Sequence, residues 1–272
     1  MSLLNNAKTL LTQPLIAKEY FDYKMSCFSN SGQAIRVLDS DLKISGLSGF
    51  SEFHSCKNFV NEHEKTFLSN YDFGEGDIID VGANLGVVSL LLAKRPSKPI
   101  VHAFEANPYT FEALQENVTL NRCPNIRAHN LAIAGYDGEI TFNANPVYRG
   151  TTSITASIDS HTVHVPCITL DSYVQQQSIK QVSLLKVDVE GYEELVFQGC
   201  KNLLAQQKIK VIYYEICPTL VKKAGLSPYT PTQALLDYGY KIYRLSQDDD
   251  LTSVTIAEIE SFTCENLIAL PS

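Results

Sequence analysis

Asp80-Val-Gly-Ala-Asn-Leu-Gly86 is the segment of this 272-residue chain whose residue types and spacing best suit ligand chemistry. Gly82 and Gly86 permit a tight turn and let a ligand approach the backbone closely. The spacing is GxxxG, whereas the dinucleotide fingerprint is GxGxxG, with an extra glycine that admits a pyrophosphate. An acid leads this turn instead, and Asp80 can accept from a ligand ammonium. Glu105 follows Gly86 by 19 residues and can accept from both hydroxyls of a ribose. A cationic amino acid at one end and a ribose at the other describe S-adenosylmethionine (SAM) better than NAD. Asp80, Gly82, Ala83, Asn84, Gly86, Glu105 and Ala106 are therefore the candidate cofactor contacts.

A second constellation is Leu184-Leu-Lys-Val-Asp-Val-Glu-Gly-Tyr-Glu193. Carboxylates at Asp188 and Glu190 can bind a cofactor ammonium, deprotonate a hydroxyl or hold a divalent cation. They can also simply cap the helix that follows, because acids suit a helix N-terminus. Asp188, Glu190 and Glu215 are the candidate catalytic groups, and Asp188 is also a candidate cofactor contact. Asp188 and Glu215 are the candidate ligands for a divalent cation. His54 and His63 fall in the N-terminal segment, and His161 and His164 alternate on an expected strand. For each histidine a structural or exposed role outweighs that of a base or a lining residue.

These residues need elements to position them. From about residue 77 short apolar strands alternate with amphipathic helices, the pattern of a parallel sheet covered on both faces. Strands are expected at Asp77–Val81, Pro99–Glu105, Ile126–Leu131, Ser183–Asp188, Lys210–Glu215, Tyr240–Leu245 and Asn266–Leu270. The helix from Val87 ends near Lys94 and Arg95, ahead of Pro96. Asn107 caps the next helix, with Pro108 at its first position. One helix is expected over Glu190–Leu204, and another opens at Thr230-Pro231 and is closed by Gly239. The candidate acids thus fall at the carboxyl ends of strands, where open α/β sheets bind ligands. Residues 1–70 read as a helical extension covering the active site and 71–272 as the main domain. A β insertion is expected at about 139–170.

Composition removes several classes of function. The net charge is −8, from 22 basic and 30 acidic residues, which disfavours a nucleic-acid backbone as partner. Asn107-Pro108-Tyr109 superficially resembles a nucleic-acid amino-methyltransferase motif, yet it follows the second strand, where it reads as a helix cap. No apolar run is long enough to span a membrane, and no secretory signal is evident. Seven cysteines, odd in number and widely spaced, suggest reduced buried thiols with neither a disulfide nor a zinc site. Together these suggest a cytoplasmic protein with no nucleic-acid or membrane partner. Asn117-Val118-Thr119 matches a glycosylation acceptor but lies inside an expected helix.

Taken in order, Asp80 to Gly86, Phe104-Glu105, Thr169-Leu-Asp171 and Leu185-Lys-Val-Asp-Val-Glu-Gly191 resemble the signatures of the FkbM family of SAM-dependent methyltransferases. The resemblance covers roughly residues 60–270. It implies an α/β class I methyltransferase (Rossmann-like) fold, with a seven-stranded, mostly parallel sheet whose last strand is antiparallel. It also implies methyl transfer, most often to a hydroxyl of a sugar or natural product. Family members often carry a His two residues after the glutamate that ends the fifth strand, and Cys217 stands there in this chain. An NAD-linked oxidoreductase and a small-molecule N-methyltransferase are the alternatives.

Overall fold

The structure is a computed structural model and describes residues 14–38, 41–144, 162–246, 248 and 250–272. His161, much of the expected insertion and the first 13 residues lie outside these. The extension begins with helix α1 (Pro14–Ser29), followed by the short strands β1 (Arg36–Val37) and β2 (Lys43–Ile44), which pair antiparallel. Helix α2 (Phe50–Ser55) and helix α3 (Glu62–Asn70) complete it. Glu19 ties α1 to this region, bonding Lys57 at 2.8 Å, Arg36 at 3.3 Å and also His54.

A helical extension was expected, and the structure adds the β1–β2 hairpin to its helices. The cause of the hairpin is tertiary. Asn117 Oδ1 accepts from the Ser45 amide at 2.7 Å, and the Asn121 side chain bonds both backbone groups of Lys43. Partners more than 70 residues away thus satisfy the backbone beside β2, and no local pattern announces that. Asn117 is fully buried by this arrangement, so its sequon is inaccessible in the fold.

The main sheet starts with β3 (Asp77–Val81), and helix α4 (Val87–Ala93) leads to β4 (Val101–Phe104). Helix α5 (Pro108–Leu120) then leads to β5 (Ile126–His129). Asn107 caps α5 by accepting from the Tyr109 amide, as the Asn-Pro start predicts. Strands β6 (Ala132–Ile133), β7 (Gly138–Asn143) and β8 (Thr162–Ile168) form a separate three-stranded sheet in the order β6-β8-β7. Helix α6 (Leu170–Gln176), strand β9 (Val182–Val187), helices α7 (Glu193–Gln198) and α8 (Lys201–Ala205) and strand β10 (Ile209–Ile216) follow. The chain ends through α9 (Pro218–Lys223), α10 (Thr230–Asp237), β11 (Tyr240–Leu245), β12 (Leu251–Ser253) and β13 (Glu265–Pro271).

The large sheet has the order β12-β11-β13-β10-β9-β3-β4-β5. Its strands β3, β4, β5, β9 and β10 run parallel, and β13 inserts antiparallel between β10 and β11. This is the arrangement that the resemblance implies, with one addition, the three-residue edge strand β12. Every residue of β9 is buried, because a central parallel strand is covered on both faces and reads as a nearly continuous apolar run.

Two expectations need correction. The helix expected over Glu190–Leu204 is two helices with a non-helical start. Glu190 (φ 55°) and Gly191 (φ 99°) are left-handed, so the first turn waits until Glu193. The break falls at Gly199, where a Cβ would lie 2.0 Å from the Ala134 carbonyl. Asp171 of the Thr-Leu-Asp signature accepts from the Asn202 and Leu203 amides and caps the second piece. The second correction concerns the cysteines. Cys217 and Cys264 form a disulfide that joins the ends of β10 and β13. These strands are adjacent with Ile216 opposite Glu265, so the next residues along each face one another. Sequence spacing hides this pairing, since 47 residues separate the two cysteines. The other five are free. Among the described residues no helix is long and apolar enough to cross a membrane.

Candidate active site

The turn after β3 and the ends of β4 and β9 open on one cleft. Gly82, Asn84, Glu105, Ala106, Asp188 and Glu190 all line it. Six of the expected site residues therefore converge at the carboxyl edge of the sheet. Gly82 is left-handed (φ 76°), and a Cβ there would lie 1.8 Å from the Asp188 carbonyl oxygen. The glycine allows the first strand's turn to press against the end of β9. The Asp188 amide donates to the Val81 carbonyl at 3.1 Å and closes the contact.

Glu105 is held by backbone. One carboxylate oxygen accepts from the Asn84 amide at 2.8 Å and the other from the Asn107 amide at 2.9 Å. Each oxygen keeps a second lone pair for a ligand hydroxyl. Burial pushes the Glu105 carboxyl up to about 7, against the pull of those two amides. The rest of the lining is largely apolar and includes Leu131, Ile133, Phe142 and Leu195. Phe142 comes from the β7–β8 hairpin, so the insertion contributes one wall. These apolar residues were missed in the sequence because a wall residue looks like any core residue. Their one signal is the apolar run Leu131–Ala134 just past the third strand of the alternation.

Asp80 does not line the cleft. It is fully buried, with one oxygen 2.5 Å from the Ser89 hydroxyl and the other 3.2 Å from the Lys186 ammonium. Its charge is thus met from within the protein. Ala83 is also buried, and Gly86 supplies the left-handed N-cap of α4. The carboxylates that open to the cleft are those of Glu105, Asp188 and Glu190. The side chain of Asp188 is 38% exposed.

Glu215, the penultimate residue of β10, lies beside this group and is not part of the cleft lining. Burial first, then the charges of Asp188 and Glu190, push its carboxyl up to about 8. Burial and then Asp188 also raise Glu190. The acids at this edge thus resist ionising together. Among the described residues no group of three or more His, Cys, Asp or Glu is arranged to hold a metal ion. Of the histidines set apart above, His164 is exposed and pairs with Glu139 at 3.2 Å.

Glu193 shapes the loop between the two cleft acids. It is 1% exposed, and its Oε1 accepts from the amides of Val189 and Gly191. Burial nevertheless pushes its carboxyl up to about 7 from an ordinary 4.5. The native state therefore holds this proton more tightly than the unfolded chain does. Stability from this group is greatest below pH 4.5 and declines as pH rises towards 7. Glu193→Gln keeps the Oε1 acceptor and removes the charge. Its thermal midpoint relative to the wild type is expected to rise steadily between those pH values and then level off. The full gain is at most about 3 kcal/mol. A difference that stays flat across melts from pH 4 to 8 would remove this linkage.

Several known proteins are similar to this chain. Residues 80–242 match the family described as the methyltransferase FkbM domain. Hexuronic acid methyltransferase AglP of Haloferax volcanii is 30% identical over 180 residues, which are 65% of this chain and 69% of that protein. Methyltransferase 1 of Beauveria bassiana is 27% identical over 162 residues, covering 50% of this chain and 65% of that protein, just under two thirds of its length. A solved O-methyltransferase from Bacillus cereus is 13% identical, with a TM-score of 0.44, over 78% of this chain and 82% of that one. The family match spans more than half of the chain, so the protein belongs to the FkbM methyltransferases.

Proposed function

We propose that this protein transfers the methyl group of SAM to a hydroxyl of a sugar or related small molecule, with a uronic acid the leading acceptor class. The observation that carries the reading is the shared cleft: Glu105 at one end and Asp188 with Glu190 at the other, joined by the Gly82–Asn84 turn. The residues present fit SAM. The free lone pairs of Glu105 suit two ribose hydroxyls, and the slot of Leu131, Ile133, Phe142 and Leu195 suits a purine. Asp188 and Glu190 suit the ammonium of the amino-acid end, a task that buried Asp80 leaves to them. The uronic acid rests on the Haloferax relative's name together with its 30% identity.

When bound, SAM supplies a methyl group already activated by its sulfonium. The protein's task is then to align an acceptor oxygen with that carbon. An alcohol is a weak nucleophile at neutral pH, so a carboxylate must take its proton. Asp188 is the leading candidate, being open to the cleft and adjacent to the glycine turn. Glu190, which lines the cleft, and Glu215 beside it are next, and a Glu215 carboxyl pushed up to about 8 suits a group that accepts a proton near neutral pH. Asp188 and Glu215 are also the pair that would hold a divalent cation, and turnover with and without chelator tests for one.

Glu105→Ala is expected to weaken SAM binding by about 100-fold, since it removes a charged acceptor from two hydroxyls at once. Calorimetric titration of SAM and of NAD into wild type and variant checks this, and unchanged SAM affinity would sink the cofactor assignment. A turnover screen with uronic acids, neutral sugars, other natural-product hydroxyls and small amines then tests the acceptor. Methylation of amines alone would replace the O-methyl reading with N-methylation.

A further inference from the structure

Lys186 of the second signature segment is a buried cation, only 5% exposed, at the penultimate position of β9, whose one other polar residue is Ser183. Its Nζ donates to the Gly82 carbonyl at 2.8 Å. It also lies 3.2 Å from Asp80 Oδ1 and 3.5 Å from Asp188 Oδ2. Of these three contacts only that to the Gly82 carbonyl is a hydrogen bond; the two carboxylates are ion-pair partners of the same ammonium. Two of the three partners belong to β3 and its turn, and the third sits at the end of β9. Among the described residues the other Asp188 oxygen has no protein hydrogen bond.

We propose that Lys186 is a positioning residue that locks the glycine turn to the end of β9 and turns the Asp188 carboxylate so that its second oxygen faces the cleft. Burial alone would lower the Lys186 pKa, yet Asp80 and Asp188 drive it up, so the ammonium stays charged. The simpler role is neutralising Asp80, which is buried and costly to leave unpaired. That role needs neither the bond to Gly82 nor the approach to Asp188. Both are present, and they link the cofactor turn to the reacting carboxylate through a single atom. A turn displaced by about 1 Å can cost about 100-fold in rate, so such a link has catalytic consequence.

The catalytic part of this inference rests on the methyltransferase reading, and the structural part does not. Lys186→Met alone would strand the Asp80 charge, so the deciding variant is the neutral pair K186M/D80N. Two measurements follow. The Gly82 and Ala83 amides both donate to the Phe104 carbonyl, at 3.0 and 2.9 Å, and report on the turn by hydrogen exchange without cofactor. They are expected to exchange about tenfold faster in the double variant, with Leu184 and Leu185 unchanged. With the acceptor found by the screen, kcat is expected to fall about 100-fold while SAM affinity and acceptor KM stay within about threefold. Unchanged exchange at the two turn amides overturns the proposal, and so does wild-type kcat, since either leaves neutralisation as the only role. Should the double variant not fold, Lys186→Arg keeps the charge and displaces the point donor. Faster turn exchange in that variant supports positioning, and wild-type exchange refutes it. A wild type that turns over no acceptor defeats the functional reading and leaves the exchange result to decide the role of Lys186.

Discussion

Replacing Gly82 by alanine is expected to abolish measurable SAM binding, a loss of more than about 100-fold, and to lower the melting temperature as well. Two costs combine at this position. A left-handed backbone disfavours any residue with a Cβ by about 1–2 kcal/mol. The added carbon would also stand 1.8 Å from the Asp188 carbonyl, a backbone atom that cannot rotate away. Relief requires the β3 turn to separate from β9. That movement would break the Asp188–Val81 and Lys186–Gly82 hydrogen bonds and shift the Asn84 amide that holds Glu105. Gly225→Ala is the control. Its φ is 77° and nothing lies within 4 Å, so it carries the conformational cost without the clash. Calorimetry and thermal melts on both variants separate the two contributions. SAM affinity in Gly82→Ala equal to that in Gly225→Ala would show that the close approach is irrelevant to the cofactor.

The sheet was legible because its strands carry their own signals. A run such as Val182–Val187 is apolar at four of its six positions, and the Asn107-Pro108 start fixes a helix boundary through local chemistry. What stayed hidden depends on partners far along the chain. The β1–β2 hairpin leans on Asn117 and Asn121, the break at Gly199 answers to Ala134, and Cys217 meets Cys264 only because β10 and β13 pair. None of these distances is written in a local window.

The same division runs through the site. Glu105, Asp188 and Glu190 could be placed in the cleft because a strand end in an open α/β sheet faces the ligand edge. Asp80 has the same apparent position and a different environment. It precedes the turn rather than closing the strand, and it is met by Ser89 and Lys186. In a sequence reading Lys186 would pass for one more charge in a signature. Only the paired register of β3 and β9, with Asp80 opposite Lys186, reveals that it spans both.

Asp188→Asn is expected to fold and to lose about 100-fold or more in kcat, the scale of a removed proton acceptor. The substitution is nearly isosteric, and Asn Oδ1 can still accept from Lys186. Two roles for Asp188 give different kinetics. A group that only held the cofactor ammonium would raise the apparent Kd for SAM and leave kcat at saturation unchanged. A group at the reacting oxygen would lower kcat even when SAM is saturating. The second pattern is expected, with SAM affinity falling no more than about tenfold. The residual activity should carry a further mark. After burial, the Asp188 charge is the next cause that raises Glu190 and Glu215, so its removal lets both ionise at lower pH. Any rising limb in the pH–rate profile that reports those carboxyls should therefore move to lower pH in the variant. Near-normal kcat at saturating SAM would remove Asp188 from the reacting centre and leave Glu190 and Glu215 as the bases to test.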